Sequence, residues 1–304
     1  MAFNPTNVLL QDAKTGTIPE EQGTLVLKEF MANSSVAQLA KYEEMNKPKK
    51  TFTYLAEGPG AYWLSETERI QTSKATWLQA EMEAKKLGVI LPVSKEFLRY
   101  TVSDFFNQIR PAIAEAFYKK FDQAALFGVE SPYASGISVF ERITTSGNSV
   151  AQGSTTNLYT DLNGLLALLE DGDHDFNGLV TTKSFRKDLR GTLDNNNLPI
   201  FNDANSNAPS QVLGQPVSYA AKASFDTTKA VALAGDWDMA RYGILQSIEY
   251  AISEDATLTT IQDSEGNPVN LFERDMFALR ATMYIGFLTL KEDAFAALTP
   301  KVTP

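Results

Sequence analysis

No cysteine occurs in the 304 residues, and histidine occurs once, as His174. The first absence removes disulfides, thiolate metal sites, cysteine nucleophiles and redox dithiols together. The second would rest any catalytic triad, multi-histidine zinc site or histidine proton shuttle on a single side chain, which argues against most hydrolase chemistry. Positive charge is also short. Lys and Arg number 27 against 37 Asp and Glu, a net charge of -10, and such a surface repels phosphate at long range where a dedicated DNA binder would gather it. The N-terminal stretch MAFNPTNVLLQDAKTG has no apolar run to act as a signal peptide. The most apolar stretch, MFALRATMYIGFLTL, is interrupted by Arg280 and too short to span a bilayer. Neither G-x-x-x-x-G-K-[ST] nor G-x-G-x-x-G occurs, so phosphate cradling has no support and no cofactor is implied. What remains is a chain with 43% hydrophobic and 21% charged residues, a globular composition long enough to bury a large core, with synthesis and use expected in the cytosol.

Periodicity sets out a mixed α+β order. Residues 1–23, with Pro5, Gly16, Pro19 and Gly23 among polar neighbours, read as an extended arm. Over 23–45 the apolar spacing suits helix interrupted near Asn33, Ser34 and Ser35. Thr51 to Leu55 and Ala75 to Ala84 read as strands, the second with Leu78, Ala80 and Met82 on one face and Gln79, Glu81 and Glu83 on the other. The polar segment between them is too long for a tight turn, so the pair reads as a projecting two-stranded loop. Val102, Phe105, Phe106, Ile109, Ile113, Ala116, Phe117, Phe121 and Ala124 then step by three and four up to Gly128, which predicts one long amphipathic helix. It should open at a capping box over 101–104, run about 39 Å and bend at Pro111. Later stretches read as a helix over 162–169, a buried strand over 178–182, helix over 184–193, and strands over 212–219, 230–233 and 248–252. The last large pattern, 270–290, also favours strand.

Few residues offer chemistry. Asp173, Asp175 and Asn177 before Gly178 make the first half of a calcium loop, where alternate oxygens converge. The twelfth position falls on Ser184 rather than a bidentate Glu, and strand follows where such a loop leads into helix, so a polar turn is the better reading and His174 the exposed residue within it. Lys47, Lys49 and Lys50 read as a solvated face before a strand. Tyr62 and Trp63 sit on the polar projecting loop, where exposed aromatics serve either local packing or burial in a partner.

The order of these features resembles the major capsid proteins of tailed bacteriophages with the Hong Kong 97-type fold. LPVSKEFLRYTVSDFFNQIRPAIAEAFYKKFDQAALFG is similar to that family's strand, short helix and long spine helix. GAYWLSETERIQTSKATW is similar to the tip of its extended loop, with Trp63 and Glu66 at recurrent aromatic and acidic positions. VLGQPVSYA, AGDWDMARYGILQSIEYAISEDA and NLFERDMFALRATMYIGFLTLKEDAFAAL follow in the family's order, so the resemblance runs from about Phe3 to Leu298. It implies an N-terminal arm over 1–48, an extended loop over 49–86, and a peripheral domain over 87–132 built on the spine helix. An axial domain over 133–246, peripheral strands over 247–290 and a C-terminal segment over 291–304 complete it. It further implies a structural, non-enzymatic subunit of a virion, assembled in the host cytoplasm into an icosahedral head around double-stranded DNA that it contacts without sequence specificity. Partners would be other copies in pentamers and hexamers, a portal and, because the arm begins almost at Met1, a separate scaffolding protein, with no membrane. Tyr62, Trp63, Glu66, Arg69 and Lys74 are the inter-subunit candidates. The alternatives are an encapsulin-like nanocompartment shell and, from another class, a calcium-dependent enzyme or binding module using Asp173, Asp175 and Asn177. Some relatives join a loop lysine to a neighbour's asparagine with help from a glutamate. Lys74, Asn267, Asn270 and Glu265 are available here, but Lys74 has polar neighbours and the asparagines flank Pro268, so no such crosslink is expected.

Overall fold

Two short helices lead the chain onto its longest one. In the computed structural model the described residues are 20–301, except 58, 59, 65, 67, 68, 70, 71, 74, 75, 156, 195, 202–209 and 263–265. The arm expected before residue 20 thus lies outside them. Helix α1 (Glu20–Asn33) and helix α2 (Ser35–Leu39) are separated at Ser34, whose extended backbone lets its hydroxyl accept from the Ala37 N–H as an N-cap. The break expected near 33–35 is this cap.

Strand β1 (Lys41–Tyr42) and strand β2 (Lys49–Glu57) follow, then strand β3 (Thr76–Ser94), 19 residues long, which runs straight into helix α3 (Lys95–Phe127). The α3 helix has 33 residues, about 50 Å at 1.5 Å per residue, and it starts before the expected capping box. Ser94, the last residue of the strand, supplies the cap by accepting from the Glu96 N–H at 3.3 Å. Residues 101–104 therefore lie inside the helix, and the short helix implied upstream is its first turns. The helix continues through Pro111 and ends at Gly128, whose φ of 67° is the left-handed conformation that glycine adopts without a Cβ penalty. Its buried stripe holds Ile113, Phe117, Phe121 and Ala124 as expected, but Ala114 is buried in place of Ala116, which faces solvent. The side chains of 97–108, and with them Val102, Phe105 and Phe106, lie outside the described residues.

Helix α4 (Val139–Ser146) was not legible in a stretch rich in Ser, Thr and Gly. A Ser138/Glu141 capping box starts it and Gly147 ends it. Strand β4 (Ser149–Ala151), helix α5 (Leu158–Asp171), strand β5 (Gly178–Thr182) and a 3-10 turn (Lys183–Phe185) leading into helix α6 (Arg186–Arg190) come next. The strand expected over 212–219 is two, β6 (Gln211–Val212) and β7 (Gln215–Ala220), folded back at Leu213 and Gly214, both with positive φ. Strands β8 (Ala232–Gly235), β9 (Ala240–Ser253), β10 (Thr257–Gln262), β11 (Pro268–Asn270), β12 (Met276–Thr289) and β13 (Phe295–Thr299) complete the chain.

The strands form two main sheets. A five-stranded sheet has the order β1-β9-β12-β3-β2, and a six-stranded one β4-β13-β8-β5-β7-β6. One face of the first packs on α3 through Leu279, Ala281, Met283 and Ile285. In the second, the inner strands β13, β8 and β5 are buried on both faces, and period-2 alternation divides their side chains between two cores. Val180, Leu233, Phe295 and Ala297 join the core around α3, while Leu179, Ala232, Ala234, Ala296 and Leu298 pack with Leu162, Leu165 and Leu169 of α5. Burial on both faces explains why GLVTT, ALAG and FAALT read as unbroken small or apolar runs. Gly235 is required in β8, since a Cβ there would lie 2.4 Å from the Phe295 ring. Strand β9 starts at Ala240, before the boundary drawn at 246, and lies in the five-stranded sheet. Strand β13, within the stretch set apart as 291–304, is an inner strand of the six-stranded sheet.

Candidate functional site

Strands β2 and β3 pair antiparallel from Lys49↔Glu83 to Glu57↔Thr76 and form a ribbon. Its apolar face is graded. Met82 is buried at the base against Met45, Ala80 is half-buried, and Leu78 is exposed further out. The base is tied down by polar contacts. The Tyr54 hydroxyl donates to the Leu290 carbonyl at 3.1 Å, and Glu43 receives Lys50 at 3.0 Å and the Arg241 guanidinium. Burial alone would push the Glu43 carboxyl up, but these two cations outweigh it and hold the group below the usual carboxylate value.

Beyond the base the ribbon carries apolar side chains that its own subunit does not cover. Trp63 is fully exposed, at 102% of its reference area, and Trp77 is 63% exposed. Tyr62, Leu64 and Leu55 are exposed as well. Aromatic side chains bury on the order of 150–250 Å² each, so a tryptophan held in water at a loop tip forgoes a large favourable term. Glu66 and Arg69 are exposed on the same tip. The structure thus brings Tyr62, Trp63, Glu66 and Arg69 together on one projection, while Lys74 lies outside the described residues. Across the tip the Gly60 N–H donates to the Ser73 hydroxyl at 2.7 Å.

The acidic turn after α5 exposes Asp171, Asp173 and Asp175, as a polar turn should, but not His174. His174 is buried, with Nε2 3.0 Å from Asp293 Oδ1 and Nδ1 4.0 Å from Asp236 Oδ2. Asn177 donates to Asp236 Oδ1 at 2.8 Å and accepts from the Trp237 N–H at 2.7 Å. Asp173 has a positive φ of 57°, as a tight turn requires, and strand follows at Gly178. Asp236 lies where β8 leaves the six-stranded sheet for β9 of the five-stranded one, and Asp293 lies where β12 returns to β13. The turn therefore holds two of the crossings between the sheets, and burial pushes the Asp236 carboxyl above its ordinary value. A turn segment rich in Asp and Asn signals solvent when read alone. Here His174 alone of 171–177 is buried, against Asp236 and Asp293 from far along the chain, while Asp171, Asp173 and Asp175 stay exposed.

Asp122 gave no sequence signal either. It lies on α3, fully buried, and accepts from the Ser34 hydroxyl at 2.5 Å, the Ser35 N–H at 2.9 Å and the Val36 N–H at 3.3 Å. It caps α2 from another helix and ties the N-terminal pair to the spine. Burial without a cation pushes its carboxyl up to about 7, against the three donors that favour the charged form. Among the described residues no group of three or more His, Asp or Glu side chains is arranged to hold a metal ion, and no helix is long and apolar enough to cross a membrane.

Known proteins match the chain along nearly its whole length. The model of the phage capsid family matches residues 15–299. The major capsid protein of Staphylococcus phage 80alpha is 44% identical over 299 residues, which cover 98% of this chain and 89% of that protein. The probable major capsid protein gp17 of Mycobacterium phage D29 is 25% identical over 298 residues, 95% of this chain and 91% of its own. Among solved structures, a chain from Microbacterium phage Oxtober96 superposes with a TM-score of 0.78 at 27% identity, covering 88% of this chain and 91% of that one. A chain from Mycobacterium phage Adephagia gives 0.77 at 23% identity, with 90% and 91% covered.

Proposed function

The chain belongs to the phage capsid family and is a major capsid protein of the tailed-phage type, and we propose that its copies join through the extended ribbon into pentamers and hexamers of an icosahedral head. The observation that carries the reading of the ribbon is Trp63, wholly exposed on the projection. Isolated exposed apolar residues are ordinary. A tip bearing Tyr62, Trp63 and Leu64 together is the composition of an interface anchor. In this reading Tyr62, Trp63, Glu66, Arg69 and Lys74 meet a neighbouring copy. The five-stranded sheet with α3 acts as the peripheral domain, and the six-stranded sheet with α5 acts as the axial domain around the capsomer centres.

The subunit works by binding itself, without catalysis. Its net charge of -10 suits a shell whose interior must release packaged DNA, because weak or repulsive contact leaves the duplex free to move. A separate scaffolding protein and a portal complete the assembly in the host cytoplasm. Negative-stain imaging and analytical ultracentrifugation of the purified protein, with and without a co-expressed scaffold, test this. Closed particles containing nucleic acid after maturation are expected. Monomers or dimers under every condition would overturn the shell, and particles that enclose proteins in place of DNA would favour a nanocompartment.

A further inference from the structure

The six-stranded sheet carries opposite charge at its two ends. Strand β5 runs parallel to β7, with Thr182 beside Ala220, and antiparallel to β8, with Gly178 beside Gly235, where β13 also begins at Phe295. Two crossings to the five-stranded sheet pass through this Gly178 end. The exposed residues around it include Glu170, Asp171, Asp173, Asp175, Asp238 and Asp293. The far end lies about 16 Å away, five residues at ~3.3 Å each. There Lys183 follows β5, Lys222 follows β7, Lys229 precedes β8 and Lys301 follows β13, all exposed, and Lys187 is exposed on α6. Arg186 lays its guanidinium on the Tyr219 ring, 3.9 Å from the ring centre, which holds the planar fork beside the end of β7. The carboxylates nearest these cations in sequence, Asp188 and Asp226, are half-buried, and Asp226 is turned onto its own loop, accepting from the Thr228 N–H at 3.0 Å. Lys183, Lys187 and Lys222 have no ion pair among the described residues.

Resting on the reading of this sheet as the axial domain, we propose that its cationic end is a seat for a compact, phosphate-rich anion, built by the five or six copies that meet at a capsomer centre. The chain is acidic overall, at -10, yet Lys183, Arg186, Lys187 and Lys222 collect at the end of the sheet opposite the crossings. In a capsomer whose peripheral sheets lie outermost, that end faces the axis. Like charges brought together in a ring repel, so the ring gains from an anion at its centre. Neighbouring copies do not supply that charge, because their acidic residues sit at the other end of the same sheet, toward the crossings. A duplex lying along a wall is a rod and cannot bring its phosphates to a five- or sixfold point, whereas a short polyphosphate can. The donors suit phosphate oxygens: the stacked Arg186 offers a planar fork for bidentate contact, and the lysines offer mobile point charges around it.

Shells assembled without DNA, in a buffer free of phosphate, are titrated calorimetrically with tripolyphosphate, and sulfate at equal ionic strength is the control. Saturable binding of about one anion per five to six subunits is expected, with a rise in shell melting temperature that sulfate does not give. The Lys183→Gln/Lys222→Gln variant, changed at two exposed positions, should bind about tenfold more weakly or worse, while its unassembled subunit melts as wild type. Absence of saturable binding overturns the seat, and so does an equal response to sulfate or a variant that binds as wild type. A short DNA duplex that binds through the same lysines where tripolyphosphate does not would assign this end to packaged DNA and overturn the seat likewise. If the variant forms no shells, the contrast between tripolyphosphate and sulfate on wild-type shells decides. Failure of the axial reading itself is separable, because a cryo-EM map of the same shells would then place Lys183 and Lys222 away from the capsomer centres, whatever binds.

Discussion

The six-stranded sheet and the β2–β3 ribbon are both built from short-range alternation, yet they end in opposite environments. In the sheet, β5, β8 and β13 are buried on both faces, and Ala296 and Ala297, adjacent in sequence, point into different cores. In the ribbon the same alternation is satisfied at the base by Met82 and Ala84 and left unsatisfied at Leu78, while Trp77 is exposed on the opposite face. The inner strands of the sheet are covered within one chain, whereas the ribbon leaves its outer apolar side chains uncovered. Its stability as a free subunit and its value in the assembly should therefore respond to mutation independently.

The largest effect expected in the sheet is from Phe295→Ala. Phe295 has 0% exposure and packs edge-on against Trp237 with ring centres 5.5 Å apart. Its loss should cost the isolated subunit about 3–5 kcal/mol in a denaturant titration. A cost below 1 kcal/mol would mean that the two cores are not joined through this sheet. Trp63→Ala should do the reverse. The free subunit should change by no more than about 0.5 kcal/mol, while assembled shells lose heat resistance to a degree matching an interface anchor of about 2 kcal/mol or more per contact. Equal shell yield and melting in mutant and wild type would count against the ribbon as an interface.

The His174 turn sits at the crossings between the two sheets. His174→Ala should destabilise the free subunit by about 1–3 kcal/mol, because Asp236 would keep its burial and lose a polar neighbour. A denaturation midpoint unchanged from wild type would show that the crossings are held by Asn177 alone.

Asp122 predicts a pH effect on the stability of the free subunit. Its carboxyl is raised from 3.8 to about 7, so between those values the folded state binds more protons than the unfolded one. The stabilisation from this group is full below about pH 4 and is lost as pH rises through 7. Glu43 and Asp161, held below their ordinary values, act in the opposite sense and lose their contribution in acid. Comparison with Asp122→Asn isolates the first effect. In calorimetry from pH 5 to 8 the stability difference should move in the variant's favour as pH rises, and a difference that stays constant would remove Asp122 as the cause. The smallest expected effect is none at all. A denaturing gel of mature particles should give a single band near 33.4 kDa, since Asn270 is engaged in a turn, where its Oδ1 accepts from the Phe272 N–H at 3.0 Å. A ladder would show covalent joining of subunits and overturn this expectation.

Much of the fold was legible because a helix or strand announces its buried face by period. The helix ending at Gly128, the break at Ser34 and the alternation of Leu78, Ala80 and Met82 are local facts. The exclusion of thiol chemistry and the exposed aromatics on a long polar loop could also be read directly from residue types. Period shows that a face is buried but not what covers it. Strand β13 was missed because five residues near the chain end, FAALT, have no period to display when both faces are covered. The gathering of Lys85 and Lys86 with Lys120 and Tyr133 around one pocket was invisible because they meet only when β3 folds onto α3. Asp122 and His174 look like solvent-facing residues in sequence. Each is buried by partners more than 60 residues away, and the free energy of a buried polar group depends on the donors and charges around it, which only the tertiary structure supplies.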